Sequence, residues 1–147
     1  MGNSEIQSYR DLDAWRVSMD LSVLVYRAVK GLPDTERFGL NSQMRRAGVS
    51  VPSNIAEGQA CGEDGRYIHH LRTALGSLGE LSTQVEIVRR LRLMPETLLP
   101  EIEEQITRTG QVLHGLLRSR LRRRGLRIGS AILACCGFGL CGLAVLG

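Results

Sequence analysis

The sequence predicts an all-α protein, an antiparallel up-down-up-down four-helix bundle followed by a hydrophobic C-terminal extension. Apolar residues make up 43% of its 147 residues, which is enough for one core, whereas aromatic residues make up only 4%, fewer than a sheet protein usually carries. Apolar residues recur every three or four positions in four segments joined by short connections. We therefore expect a flexible N-terminus over residues 1–8, the bundle over residues 9–123 and the apolar extension over residues 124–147.

Each periodic segment predicts one helix. The apolar positions are Leu12, Trp15, Met19, Val23, Tyr26 and Val29 in the first; Leu40, Met44, Ala47, Val51 and Ile55 in the second; Ile68, Leu71, Leu75, Leu78, Val85 and Val88 in the third; and Leu99, Ile102, Ile106, Leu113 and Leu117 in the fourth. Asp34 and Thr35 are expected to cap the second helix. Gly76 and Gly79 each cost about 1 kcal/mol relative to Ala, so we expect a close helix contact or a bound ligand there.

The stretch SVPSNIAEG places a proline inside the second helix. Pro52 has no N–H to donate, and its ring crowds the carbonyl of Gly48, so we expect the helix to bend. The freed carbonyl needs a donor, for which the candidates are the nearby side chains of Ser50, Ser53 and Asn54. The stretch is therefore interpreted as a kinked helix stabilised by polar contacts.

Asn54 and Glu57 lie three positions apart, on nearly the same side of the second helix. Three interpretations are open for this pair: a structural polar network, contact with a partner, and chemistry. Side chains of this type on one helix face can hydrogen-bond to neighbouring helices or to another subunit.

Catalytic and metal sites are not predicted. A di-iron site in a bundle needs Glu-x-x-His pairs, but Gln111 stands three residues before His114. His69 and His70 are adjacent and therefore point to different helix faces. Neither a phosphate-binding glycine loop nor a nucleophile elbow occurs. We expect no enzyme, no metal and no cofactor.

Three stretches resemble the signatures of the family named after reading frames in intervening sequences of 23S ribosomal RNA genes. They are DLDAW at residues 11–15, FGLNSQMRRAGVSVPSNIAEG at 38–58 and ALGSLGEL at 74–81, in the family's order and spacing. The similarity covers about residues 8–120. It implies a four-helix bundle that assembles as a ring, commonly a pentamer, and that has no catalytic activity. Similar proteins serve as accessory subunits of diversity-generating retroelement reverse transcriptases.

The residues that match the family motif form the predicted structural or partner-binding site. They are Gln43, Arg45, Arg46, Pro52, Asn54, Glu57 and Gly58. Gly48 stands where alanine is more usual, and QACGEDG is less basic than the segment that usually follows the motif.

Two functions are consistent with these residues. The first is a non-enzymatic scaffold that self-assembles into a ring, expected to be a pentamer, and binds a partner. The alternative is an RNA-binding subunit or an accessory subunit of a reverse transcriptase. If the protein binds RNA, Arg45 and Arg46 pair with phosphates. If the two arginines have only a structural role, they pair with acidic residues on a neighbouring helix.

The C-terminal region combines a basic run with an uncharged segment. The basic run consists of Arg118, Arg120, Arg122, Arg123, Arg124 and Arg127, and it accounts for the net charge of +4 because residues 1–117 hold 13 basic and 15 acidic residues. Residues 128–147 carry no charge and are numerous enough to cross a bilayer as a helix. We predict a cytoplasmic bundle anchored to the inner membrane, with the arginines at lipid headgroups or nucleic acid. Burial of this segment in an oligomer and a non-native end are the alternatives.

Overall fold

The computed structural model describes residues 8–136, with the side chains described as far as residue 125. Four α-helices account for most of this part: α1 (Asp13–Ala28), α2 (Leu40–Ala60), α3 (Asp64–Arg90) and α4 (Leu99–Cys136). Short 3-10 turns connect or precede them, and no strand occurs between residues 8 and 136. The prediction of an all-α protein with four helices is confirmed. Residues 1–7 and 137–147, at the two ends of the predicted organisation, lie outside the described part.

The core receives side chains from all four helices. Leu21, Met44, Leu71 and Ile102 are fully buried, one from each helix. Consecutive helices pack against each other, and α4 also packs against α1. The bundle is therefore closed around one core, in the way that amphipathic helices of similar length bury their apolar faces.

Polar contacts join α4 to both of its neighbours. Gln105 Nε2 on α4 donates to the Val17 carbonyl on α1 at 3.0 Å. Arg89 on α3 forms an ion pair with Glu103 on α4. Because the Gln105 bond links residues 88 positions apart, it helps to hold the two terminal helices together.

On α1 the buried face differs from the predicted one. Met19, Val23 and Tyr26 were placed on the apolar face, but they are 36%, 45% and 45% exposed. The face against α2 and α4 is instead formed by smaller or differently spaced residues: Ala14, Val17, Ser18, Leu21, Ser22, Val25 and Ala28. Since α1 carries apolar residues on two sides, the positions of the neighbouring helices decide which side is buried.

The start of α2 also differs from the prediction. Asp34 and Thr35 belong to a 3-10 turn and do not cap α2, which begins at Leu40. Glu36 reaches the helix instead, because its Oε2 accepts a hydrogen bond from the Leu40 backbone N at 3.1 Å. A Cβ atom at Gly39 would lie 2.7 Å from this oxygen, so glycine leaves the room that the carboxylate needs.

Helix α2 continues through Pro52, and the donor for the freed carbonyl comes from α1. The Ser22 hydroxyl lies 2.7 Å from the Gly48 carbonyl oxygen in the buried α1–α2 interface, and 2.9 Å from the Ser18 carbonyl in its own helix. The predicted donors from within α2 were wrong. Ser50 and Asn54 instead contact α3, where the Ser50 hydroxyl lies 2.8 Å from Ser77 and Asn54 Oδ1 lies 3.2 Å from His70. Ser53 lines the groove beside α1.

Replacing Ser22 by Ala is expected to lower the free energy of unfolding by about 1–3 kcal/mol, because the buried Gly48 carbonyl loses its donor. The loss should shrink in a Pro52→Ala background, where residue 52 regains an N–H that can donate to the same carbonyl. Urea unfolding of the four proteins, followed by circular dichroism, measures this coupling. Equal losses in both backgrounds would show that Ser22 acts through the Ser18 carbonyl instead.

Candidate functional site

A polar network joins the motif in α2 to α3. Asn54 Nδ2 donates to the Ser50 carbonyl at 2.9 Å, and Asn54 Oδ1 lies 3.2 Å from His70 Nδ1. The Ser50 hydroxyl in turn lies 2.8 Å from the Ser77 hydroxyl. We call Ser50, Asn54, His70 and Ser77 the α2–α3 network. It satisfies half-buried polar groups of two helices at once, which favours a structural role for Asn54.

The last turn of the motif approaches α3 closely. Gly58 is buried, and a Cβ atom there would lie 2.5 Å from Cδ2 of Tyr67 and 3.0 Å from Cβ of His70. Glu57 in the same turn is exposed, and its Oε2 lies 3.6 Å from His70 Nδ1, the atom that Asn54 also contacts. Gly58 therefore allows the end of α2 and the start of α3 to meet, while Glu57 approaches the network at His70.

The remaining motif residues lie apart from this network. Pro52 is buried in α2. Gln43 is exposed on the same helix. Arg45 is half-buried and Arg46 is exposed, and both line a cleft at the start of α2. The structure therefore divides the predicted site into a packed part and an exposed basic part.

This cleft has a volume of about 890 Å³ and opens where α1 leads into α2. Its basic lining residues are Lys30, Arg37, Arg45 and Arg46, and its aromatic ones are Tyr26 and Phe38. We call this group the basic cleft. Asp34 is the one acidic residue in its lining. Within residues 8–125 none of the four cations forms an ion pair, so the expected acid partners of Arg45 and Arg46 are not found there.

Two arginines of the basic cleft lie over aromatic rings of its lining. The Arg45 guanidinium carbon lies 5.1 Å from the centroid of the Tyr26 ring, within the range of a cation–π contact. Arg37 lies 5.5 Å from the centroid of the Phe38 ring, which is itself 87% exposed. Sequence reasoning singled out Arg45 and missed Tyr26, Arg37 and Phe38. The adjacent Arg37 and Phe38, where the stretch 38–58 begins, were the available signal.

The structure separates Arg120 from the rest of the basic run. Its side chain is only 14% exposed and lies 3.6 Å from the Asp64 carboxylate. It also donates to Gln59 Oε1 at 3.3 Å and lies 4.4 Å over the Tyr67 ring. Burial raises the pKa of the Tyr67 hydroxyl, against the opposing effect of the Arg120 charge. Arg120 thus ties α4 to the α2–α3 connection.

The other arginines of the run are directed to solvent as far as the side chains are described. Arg118, Arg122, Arg123 and Arg124 are exposed, while the side chain of Arg127 lies beyond the described part. Helix α4 continues to Cys136, so about 24 Å of helix follow Arg120. The four exposed arginines are therefore available to an anionic partner.

Gly76 and Gly79 do not mark a close contact inside the described chain. Both are exposed, and a Cβ atom at either would meet no atom within 4 Å. The expectation of close packing is wrong for the single chain, because the two glycines lie on the outer side of α3.

Metal-ligating side chains do not cluster within residues 8–125, the part whose side chains the structure describes. In the described helices, none combines the length and the apolar character that a membrane span requires. The predicted membrane segment, 128–147, extends past the described residues.

Known proteins resemble the bundle of this chain but not its C-terminal region. The sequence profile of the 23S rRNA-intervening sequence proteins matches residues 10–115, which is most of the chain. The chain belongs to this family. The match includes the α2–α3 network and the basic cleft, and it ends before the basic run. No curated protein matches this chain.

A solved structure shows the same fold. It is a protein of unknown function from the S23 ribosomal protein family of Bacteroides thetaiotaomicron, with a TM-score of 0.66 and 21% sequence identity. The similarity covers 71% of this chain and 95% of the other. At this identity it supports the fold of the 23S rRNA-intervening sequence protein and carries no information about its function.

Two glycines of α2 allow a matched test of motif packing. Gly58→Ala is expected to lower the free energy of unfolding by about 1–3 kcal/mol, because the new Cβ atom overlaps the Tyr67 ring. Gly48→Ala places its Cβ atom 3.6 Å from Val25, an ordinary contact, and should stabilise by up to about 1 kcal/mol through helix propensity. Urea unfolding compares the two, and equal effects would contradict the close approach at Gly58.

Proposed function

We propose that this 23S rRNA-intervening sequence protein is a non-enzymatic scaffold whose copies join into a closed ring, with five as the expected number. Each copy is an antiparallel up-down-up-down bundle in this proposal. The order of contacts between α2 and α3 supports that arrangement, since Ser50 pairs with Ser77 and Asn54 with His70. Later positions on one helix contact earlier positions on the other.

The single observation that carries the ring proposal is an exposed apolar stripe on α1 and α2. Met19, Val23 and Val49 are 36%, 45% and 41% exposed. A groove of about 290 Å³, lined by Trp15, Pro52 and other side chains, accompanies the stripe. Apolar side chains grouped in this way are typical of a protein–protein contact.

A second apolar patch lies at the end of α3 and at its connection to α4. Ile87, Leu91 and Leu98 there are 38%, 60% and 38% exposed. Two different apolar patches, one on α1 and α2 and one at the α3–α4 connection, suit a head-to-tail contact, in which one patch of each copy meets the other patch of the next. Such contacts close into a ring when a whole number of the rotations between neighbouring copies adds up to one full turn. Gly76 and Gly79 also leave α3 open to close approach by another chain.

Met19→Glu combined with Val23→Glu is expected to convert the ring into monomers, because charges within an apolar contact stay unpaired. The mass of the full chain in non-ionic detergent, measured by light scattering and corrected for detergent, gives the oligomeric state. Ala60→Glu, at an exposed position at the end of α2, is the control and should keep the mass of the parent protein. A monomeric parent protein would contradict the proposed ring.

An accessory subunit of a reverse transcriptase is the second candidate. The four cations of the basic cleft favour it, since they lack acidic partners within residues 8–125 and can receive a polyanion. Gene neighbourhood discriminates between the two functions. A reverse transcriptase gene beside template and variable repeats favours the accessory subunit, whereas a position inside a ribosomal RNA gene argues against it.

We further propose that the bundle lies in the cytoplasm and is anchored to the inner membrane by residues 128–147. The exposed arginines before this segment support the proposal, because each contributes about 1 kcal/mol near an anionic surface. Uncharged residues behind a basic run also match the usual order at the cytoplasmic end of a membrane span.

The full chain is then expected to sediment with membranes, to resist extraction by high salt and carbonate, and to be released by detergent. Apolar partitioning is insensitive to salt, which explains the resistance. A chain truncated before Gly125 should stay in the soluble fraction. Release of the full chain by salt alone would show that the arginines hold it there, and the anchor would be wrong.

A further inference from the structure

The basic cleft concentrates positive charge without neutralising it. Lys30, Arg37, Arg45 and Arg46 surround one opening, with Asp34 as the one acid of the lining. Arg89, in contrast, is paired with carboxylates on both sides, Glu86 and Glu103. Like charges gathered in a cleft repel each other and attract anions, so the arrangement fits a polyanionic ligand.

Arg45 adds an unused donor at this site. Its Nε atom is buried and has no hydrogen-bond partner among the described residues, while its guanidinium carbon lies 5.1 Å from the Tyr26 ring centroid. Buried donors are almost always paired in native structures. A small reorientation of the half-buried Arg45 side chain would bring this N–H group to an acceptor oxygen of a ligand in the cleft.

Phe38 indicates which polyanion the cleft fits. Its ring is 87% exposed, the largest value among the exposed apolar side chains of residues 8–125, and Arg37 lies 5.5 Å from its centroid. Bases of single-stranded nucleic acids stack on such rings, while arginines beside them contact phosphates. In a duplex the base faces are already stacked on each other, and an acidic peptide has no comparable use for the ring.

We infer that the basic cleft binds single-stranded nucleic acid, with a base stacked on Phe38 and phosphates at Arg45 and Arg46. Lys30 lies in the same lining and meets the neighbouring phosphate. The inference rests on the second candidate function only for the biological source of the strand. It requires neither a ring nor a reverse transcriptase.

Fluorescence anisotropy with a labelled oligouridine of about 12 nucleotides tests this inference, since that length covers a typical single-strand site. The full chain is used in non-ionic detergent at about 50 mM salt, where phosphate contacts are strong. An RNA duplex of the same length and polyglutamate serve as competitors. Unfolding midpoints of all variants, which carry changes at exposed or half-buried positions, verify that each is folded.

Phe38→Ala is expected to weaken oligouridine binding about 5- to 100-fold through the lost stacking, while Phe38→Trp keeps the affinity. Arg45→Gln combined with Arg46→Gln should weaken binding and reduce the salt slope of log K by about 1.4, which corresponds to two single-strand phosphates. Arg72→Gln combined with Arg108→Gln, at exposed positions outside the cleft, is the matched control and should leave the affinity unchanged. Arg122→Gln combined with Arg123→Gln reports separately what the exposed arginines of α4 contribute.

Four results would overturn the inference: no binding to oligouridine, duplex binding as tight as single-strand binding, displacement by polyglutamate at equal charge, and loss of binding only in the α4 variant. Equal displacement by polyglutamate would identify the cleft as a site for an acidic protein segment, including one from a second copy. Light scattering on the same samples reports the oligomeric state separately. A monomer that binds oligouridine would contradict the proposed ring and would support nucleic-acid binding at the basic cleft.

Discussion

The missing N–H of Pro52 is the constraint on which the arrangement of the bundle depends. It leaves the Gly48 carbonyl in a buried position, where an oxygen without a donor is costly. Ser22 supplies the hydrogen bond from α1 at 2.7 Å. The hydrogen bond that is missing inside α2 is thereby replaced by one between two helices. This bond fixes the position of α1 along the axis of α2.

The other side of α2 packs against α3. The α2–α3 network joins the two helices by hydrogen bonds, and Gly58 lets them approach at the Tyr67 ring. With its inner faces used for packing, α2 presents Arg45 and Arg46 along the remaining edge, beside the connection from α1. The motif thus performs two tasks on one helix: a packed part defines the bundle, and an exposed part contributes to the basic cleft.

The two basic regions of the molecule differ in their surroundings. The basic cleft combines cations with aromatic rings and an unpaired buried donor, features that suit a ligand with bases and phosphates. The exposed arginines of α4 follow a residue, Arg120, that is itself used to attach the helix to Asp64 and Gln59. They have no aromatic partner among the contacts found there, and their position before an uncharged segment suits a lipid surface.

Local patterns in the sequence were enough to determine the class of fold and the approximate helices, because apolar spacing at three and four residues reports helical faces directly. Pro52 was also correctly placed inside a helix, and the motif was recognised as a unit. The family follows from these stretches, which span most of the bundle. The placement of each motif residue in space was beyond this information.

Only the tertiary structure decided which apolar side of α1 is buried, since Met19 and Val23 satisfy the helical period as well as Val17 and Leu21 do. It also decided that Ser22, 26 positions from Gly48, donates to its carbonyl, a pairing that no local pattern encodes. The basic cleft likewise joins Lys30, Arg37 and Arg45 from separate elements. Arg120 and Arg122 are equivalent in the sequence, yet one is held by Asp64 and the other is exposed, because long-range contacts depend on how the helices pack and not on spacing along the chain.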